Sequence, residues 1–96
     1  MIDLKEIFER HSETDYIKFD RVKNPLSSRP DLCAFLFLDK LVLGTGDIVA
    51  CAEHDEIWLN VDVDELARLA TEEDILTLVR CGVRYDSSVR SLVMYA

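Results

Sequence analysis

Histidine, glycine and proline are scarce in this chain and no apolar run is long. Each shortage removes a class of function. Two histidines leave few side chains able to exchange a proton near neutral pH, as general acid–base catalysis requires. Three glycines do not make a phosphate cradle. The stretch "GTGD" at 44–47 lacks the extra glycines of a dinucleotide loop and the lysine of a P-loop, and reads as a helix-to-strand turn. Both prolines fall in "KNPLSSRP", a loop at 23–30. The longest apolar stretch, "LCAFLFL", has seven residues, against roughly 20 for a membrane-spanning helix. Three cysteines, Cys33, Cys51 and Cys81, are dispersed, odd in number and free of any CxxC pair. They read as reduced, buried thiols. The opening "MIDLKEIFER" is charged and amphipathic rather than signal-like, so the expected location is the cytoplasm, with no membrane contact.

Basic residues are missing from one segment in particular. The net charge is −8. Between Glu53 and Asp74 stand nine carboxylates and a single base, Arg68, while the rest of the chain balances ten acids with ten bases. One segment of 22 residues carries the whole excess. Its sign opposes direct binding of a nucleic-acid backbone there and attracts a basic protein surface.

What is present is enough for one folded domain, residues 1–96. Forty-nine per cent of the residues are hydrophobic, well above a disordered composition. Leu4, Ile7, Phe8 and His11 recur at helical spacing over 4–11, with Asp3 and Glu6 as a capping box. "DYIKFDRV" at 15–22 alternates, predicting a short strand with Ile17 and Phe19 on one side. "DLCAFLFLDKLVL" at 31–43 fits a buried strand or a buried helix. Helix is favoured, with Ser28 at the N-cap, Pro30 in the first turn and Gly44 at the end. Its apolar residues on nearly every side predict burial at the centre of the domain.

"DIVACAEHDEIWLNV" predicts a hairpin turning at His54–Asp55. That register pairs Ala52 with Ile57, Ala50 with Leu59 and Ile48 with Val61 on an apolar face. Glu53–Glu56, Cys51–Trp58 and Val49–Asn60 pair on a mixed one. Two short helices follow: Asp62 with Glu65 caps the first, Thr71 starts the second and Gly82 ends it. "VRYDSSVRSLVMYA" closes as a second hairpin whose last strand is apolar on both faces and therefore interior. The expected fold is α+β: helices packed on a largely antiparallel sheet of about four or five strands, with hairpins near 47–61 and 83–95.

The stretch "CAEHDEIWLNVDVDE", 51–65, gathers a cysteine, a histidine, six carboxylates and the only tryptophan. As a metal or catalytic centre it is poorly furnished. Zinc needs about four ligands, usually in paired spacings, and Cys51-x-x-His54 stands alone. A cysteine nucleophile needs an orienting group and oxyanion donors that no motif here supplies. No catalytic, cofactor or metal residue is assigned. Asp62, Asp64, Glu65, Glu72, Glu73 and Asp74 sit at helix starts, where the helix dipole favours them. Glu53, Asp55 and Glu56 do not, and a cross-strand Glu53–Glu56 pair opposes like charges. Trp58 stands on the mixed face, either beneath a second layer or exposed beside those acids. An aromatic anchor rimmed by acids suits a basic protein partner.

At "AEHDEIWLNVD" and "TEEDILTLVRCGVRYDSSVRSLVMYA" the chain resembles small acidic proteins of unknown function encoded by bacteriophages and prophages, from Asp47 onward. The resemblance implies life in the cytoplasm of an infected bacterium and a role in regulating or opposing host machinery. The expected function is a non-enzymatic protein-binding module. Glu53, Asp55, Glu56, Trp58, Asp62, Asp64, Glu65, Glu72, Glu73 and Asp74 would bind or inhibit a basic protein, a nucleic-acid-binding one being a candidate. Two alternatives stay open. One is a structural or assembly protein that forms a homodimer through its C-terminal hairpin, with Arg80, Arg84 and Arg90 answering the acids of a second copy. The other is a small enzyme or metal-binding protein.

Overall fold

The computed structural model describes every residue except Met1, Leu43, Thr45, His54 and Ala96. Four helices pack with a four-stranded antiparallel sheet, an α+β fold. The order along the chain is α1 (Leu4–Asp15), a 3-10 turn (Phe19–Arg21), α2 (Pro30–Leu41), β1 (Val49–Glu53), β2 (Glu56–Leu59), α3 (Val63–Leu69), α4 (Glu72–Arg80), β3 (Arg84–Asp86) and β4 (Ser91–Tyr95). No helix among the described residues is long and apolar enough to cross a membrane.

Helix α1 starts as its cap predicts, with the Asp3 side chain accepting from the Glu6 amide at 3.2 Å. The Glu6 carboxylate turns instead to Arg10, 2.7 Å away, so half of the expected capping box forms. The helix runs four residues beyond 11, and Leu4, Ile7 and Phe8 are buried.

The expected strand at 15–22 is absent. Tyr16 and Ile17 form a turn, Ile17 takes φ 61° and Phe19–Arg21 wind as one 3-10 turn. The cause is Asp15, the buried charge at the end of α1. Its carboxylate accepts from Thr14 Oγ1 (2.8 Å), Arg80 Nε (3.1 Å) and Arg21 Nη1 (3.2 Å). Bringing Arg21 back onto Asp15 requires the chain to reverse within six residues. The Thr14 hydroxyl first, then Arg80 and Arg21, hold the Asp15 carboxyl below its ordinary value. A depressed folded pKa contributes stability above the unfolded value, which is lost as pH falls through the folded one. Urea midpoints should therefore drop on acidification below about pH 4. In Asp15→Asn that acid-dependent part should be smaller, while an unchanged pH profile would exclude this network as its source.

Helix α2 settles the ambiguity of 31–43 in favour of helix. Pro30 takes the first position, where its missing N–H is harmless. Arg29 rather than Ser28 occupies the N-cap, and the helix ends at Leu41, short of Gly44. Its expected central burial is corrected. Cys33, Ala34 and Leu38 face the core, whereas Leu32 and Leu36 are exposed.

Strand order is β1-β2-β4-β3, so β4 is interior as expected. The hairpin register holds at its tip, where Glu53 faces Glu56, Ala52 faces Ile57 and Cys51 faces Trp58. A bulge at Ala50 then pairs Val49 with Leu59 instead of Asn60. One extra residue re-aims the strand's remaining side chains. Asp62 caps α3 by accepting from the Asp64 and Glu65 amides, and Thr71 with Asp74 forms a complete capping box on α4. Gly82 ends α4 at φ +96°. Its amide donates to Val79 and the Val83 amide to Leu78, the paired bonds of a Schellman end.

Ile57, Leu59, Leu92 and Met94 join the helices in one core cluster. The helical layer covers that face of the sheet.

Candidate functional site

Alternation along β2 and β4 puts the other side chains on the outer face. Directly paired residues share a face, so two rows can be read from the register. Cys51, Trp58, Val93 and Arg84 form one, and Glu53, Glu56 and Tyr95 the other. Trp58 is half-buried. Val93 is only 2% exposed, yet it lies outside the core cluster, between its cross-strand neighbours Trp58 and Arg84. Tyr95 is 57% exposed. The tryptophan is thus on the face away from the main core.

Arg84 organises this surface. Its Nη2 donates to Glu56 Oε2 at 2.5 Å and its guanidinium lies 4.2 Å above the Tyr95 ring, a cation–π distance. Burial opposes the charge, but the bond to Glu56 and the nearby Tyr95 and Tyr16 phenols outweigh it, raising the Arg84 pKa. The Tyr16 phenol is itself pushed up, first by burial. Its buried hydroxyl has no well-formed hydrogen bond among the described residues. Sequence reasoning missed Tyr95 and the bond of Arg84 to Glu56 within the chain. Both become legible only once β4 is paired beside β2, a long-range choice that no local signal makes.

The expected acidic face is divided by the fold. Asp55 sits at the tip of the β1–β2 hairpin, exposed and at φ 62°, with Glu53 exposed beside it. Asp62 and Asp64 follow β2 at its opposite end. Several of the acids further along the chain pair with arginines or cap helices. Asp64 pairs with Arg90 (2.6 Å), Glu65 with Arg68 (2.7 Å) and Glu72 with Arg10 (2.7 Å). Asp62 and Asp74 cap helices. Glu73 is exposed in the first turn of α4. The structure brings together Glu53, Asp55, Glu56 and Trp58 and leaves the remaining acids elsewhere. The arginines expected to answer a second copy are also taken. Arg84 holds Glu56, Arg90 holds Asp64 and Arg80 holds Asp15.

Cys51 is exposed on β1, and His54, its expected partner in the metal reading, lies outside the described residues. Cys81 is buried beside Cys33, and burial pushes its thiol up to about 12, which keeps it protonated and unreactive near neutral pH. Among the described residues no three His, Cys, Asp or Glu side chains are grouped to hold a metal. No family model, curated protein or solved structure matches the chain.

Proposed function

We propose that this protein is a non-enzymatic binding module whose outer sheet face, at the β1–β2 tip, docks a basic protein. The observation that carries this reading is the position of Trp58 and Tyr95 on the face opposite the helical core, beside Glu53, Asp55 and Glu56. Aromatic side chains dominate binding energy in protein interfaces, and acids at the rim steer a basic partner and make capture salt-sensitive. The resemblance to small phage and prophage proteins supports a partner within the machinery of an infected bacterium. A nucleic-acid-binding protein, inhibited when its basic face is covered, fits the charge. The working location is then the host cytoplasm.

The test compares immobilised wild type with two variants, using host lysate and washes of rising salt. Trp58→Ala should weaken capture about 30-fold, the level of an interface hot spot. Glu53→Lys combined with Asp55→Asn reverses the tip while sparing the Glu56–Arg84 pair, and asparagine suits the positive φ of residue 55. It should release the partner at lower salt. Recovery of the same proteins at the same salt by all three would end the proposal.

A second reading, self-association, is favoured by β1. This edge strand is exposed from Ala50 to Glu53; it carries neither proline nor lysine, and its guards against strand pairing are the bulge at Ala50 and the Glu53 carboxylate. It moves the expected dimer contact from the C-terminal hairpin, whose β4 is already paired on both sides, to the opposite edge. Light scattering at two concentrations should detect a dimer that Ala52→Lys abolishes. A monomer at both would exclude it.

A further inference from the structure

The row Glu53–Glu56–Tyr95 marks one end of the sheet, where β4 finishes, β3 begins and the β1–β2 hairpin turns. Against this end lies a cavity of about 330 Å³ walled by Ile17, Phe19, Pro30, Cys81, Met94 and Tyr95. That is near the lower limit of small-molecule sites, roughly 300–1,000 Å³. It suits one bulky side chain better than a cofactor. The walls are apolar, with Asp31 and Tyr16 as the polar exceptions.

Two features of the wall are unusual. Ile17 is 59% exposed and holds φ 61°, a conformation that a β-branched residue avoids and asparagine or glycine would adopt readily. Its side chain also packs close to the bare backbone of Gly82, where an added Cβ would lie 3.3 Å from Ile17 Cγ1. The fold holds a large apolar side chain, in a strained backbone state, at the rim of an apolar cavity. Strain of this kind gathers at ligand clamps. Tyr95 belongs both to the cavity wall and to the row that leads to the acidic tip, where the Arg84 guanidinium covers its ring and pairs with Glu56 while Asp55 is exposed beyond them.

We infer that the cavity is the anchor subsite of the docking surface, taking one bulky apolar side chain from an extended basic segment of the partner. This rests on the reading that the partner is basic, and it adds the partner's spacing. From Tyr95 on β4 across β2 to Glu53 on β1 is two strand separations, about 10 Å. An extended chain covers that in about three residues. The segment therefore carries its Lys or Arg about three residues from a Phe, Leu or Met.

The experiment titrates the ¹⁵N-labelled full chain with the capped peptide acetyl-Phe-Gly-Ser-Lys-Arg-amide. Two control peptides replace Phe by Ser, or Lys-Arg by Gln-Gln. The expected result is saturable shifts of the Ile17, Gly82 and Met94 amides together with the Trp58 indole. Affinity should fall about tenfold for the Ser peptide, since a buried aromatic ring is lost. Ile17→Asn, which accepts the same backbone, should weaken the Phe peptide about tenfold and leave the Ser peptide unchanged. Equal affinity for the Phe and Ser peptides, with shifts confined to Trp58 and the tip, would overturn the anchor while leaving the basic-partner reading intact. Equal affinity for the basic and Gln peptides, with shifts at Ile17 and Gly82, would support the anchor and overturn the basic-partner reading. No shift with any peptide overturns both.

Discussion

Leu38→Ala should lower the free energy of unfolding by about 2–5 kcal/mol, whereas Leu36→Ala, two residues away on α2, should change it by no more than about 0.5 kcal/mol. Leu38 is fully buried and Leu36 is 43% exposed. Truncating Leu38 removes its transfer free energy and leaves a void that its neighbours fill only in part. Truncating Leu36 returns exposed surface to water and slightly favours helix. Domains of this size are stable by about 5–15 kcal/mol in total, so the first change removes a large fraction. Urea denaturation with an unchanged slope measures both. A loss at Leu36 comparable to that at Leu38 would mean that α2 is covered on both sides in solution, as by a second copy.

Gly82→Ala should be destabilising by about 1–3 kcal/mol through two separable causes. The backbone stands at φ +96°, outside the range an alanine adopts comfortably. The new methyl would also press on Ile17 Cγ1 at 3.3 Å. Ile17→Gly removes the second cause and leaves the first. A double-mutant cycle should therefore show positive coupling between positions 17 and 82, with Gly82→Ala less harmful in the Ile17→Gly background. Strict additivity would mean that the isoleucine moves aside without penalty and that the wall of the cavity is soft.

Local signals were readable where neighbouring residues suffice. Asp3, Asp62 and Thr71 start helices because a side-chain oxygen two or three residues upstream is enough to hold the first free amides. Gly82 ends α4 for an equally local reason. The hairpin tip was readable because Glu53–Glu56, Ala52–Ile57 and Cys51–Trp58 follow from the turn position alone. The alternation of 15–22 misled. The carboxylate of Asp15, reached by Arg80 from 65 residues away, gives that segment a stronger alternative than a strand without a partner.

For the candidate site the division is sharper. Trp58 and the tip acids were picked out by composition, but their grouping with Arg84 and Tyr95 was not. A charge excess over 22 consecutive residues suggested one acidic face. Folding sends its parts to opposite ends of β2, and arginines distant in sequence meet several of them.

The amino-acid order alone determined where α1, α3 and α4 start, where α4 stops, how the tip of the first hairpin pairs, and that the whole is helices on an antiparallel sheet, since the caps and the tip depend on interactions spanning a few residues. The tertiary structure decided which face of α2 is wet, which carboxylates meet arginines from distant parts of the chain and what stands beside Trp58. Those outcomes depend on pairings between distant residues, and a periodic pattern carries no record of which partner each residue will meet.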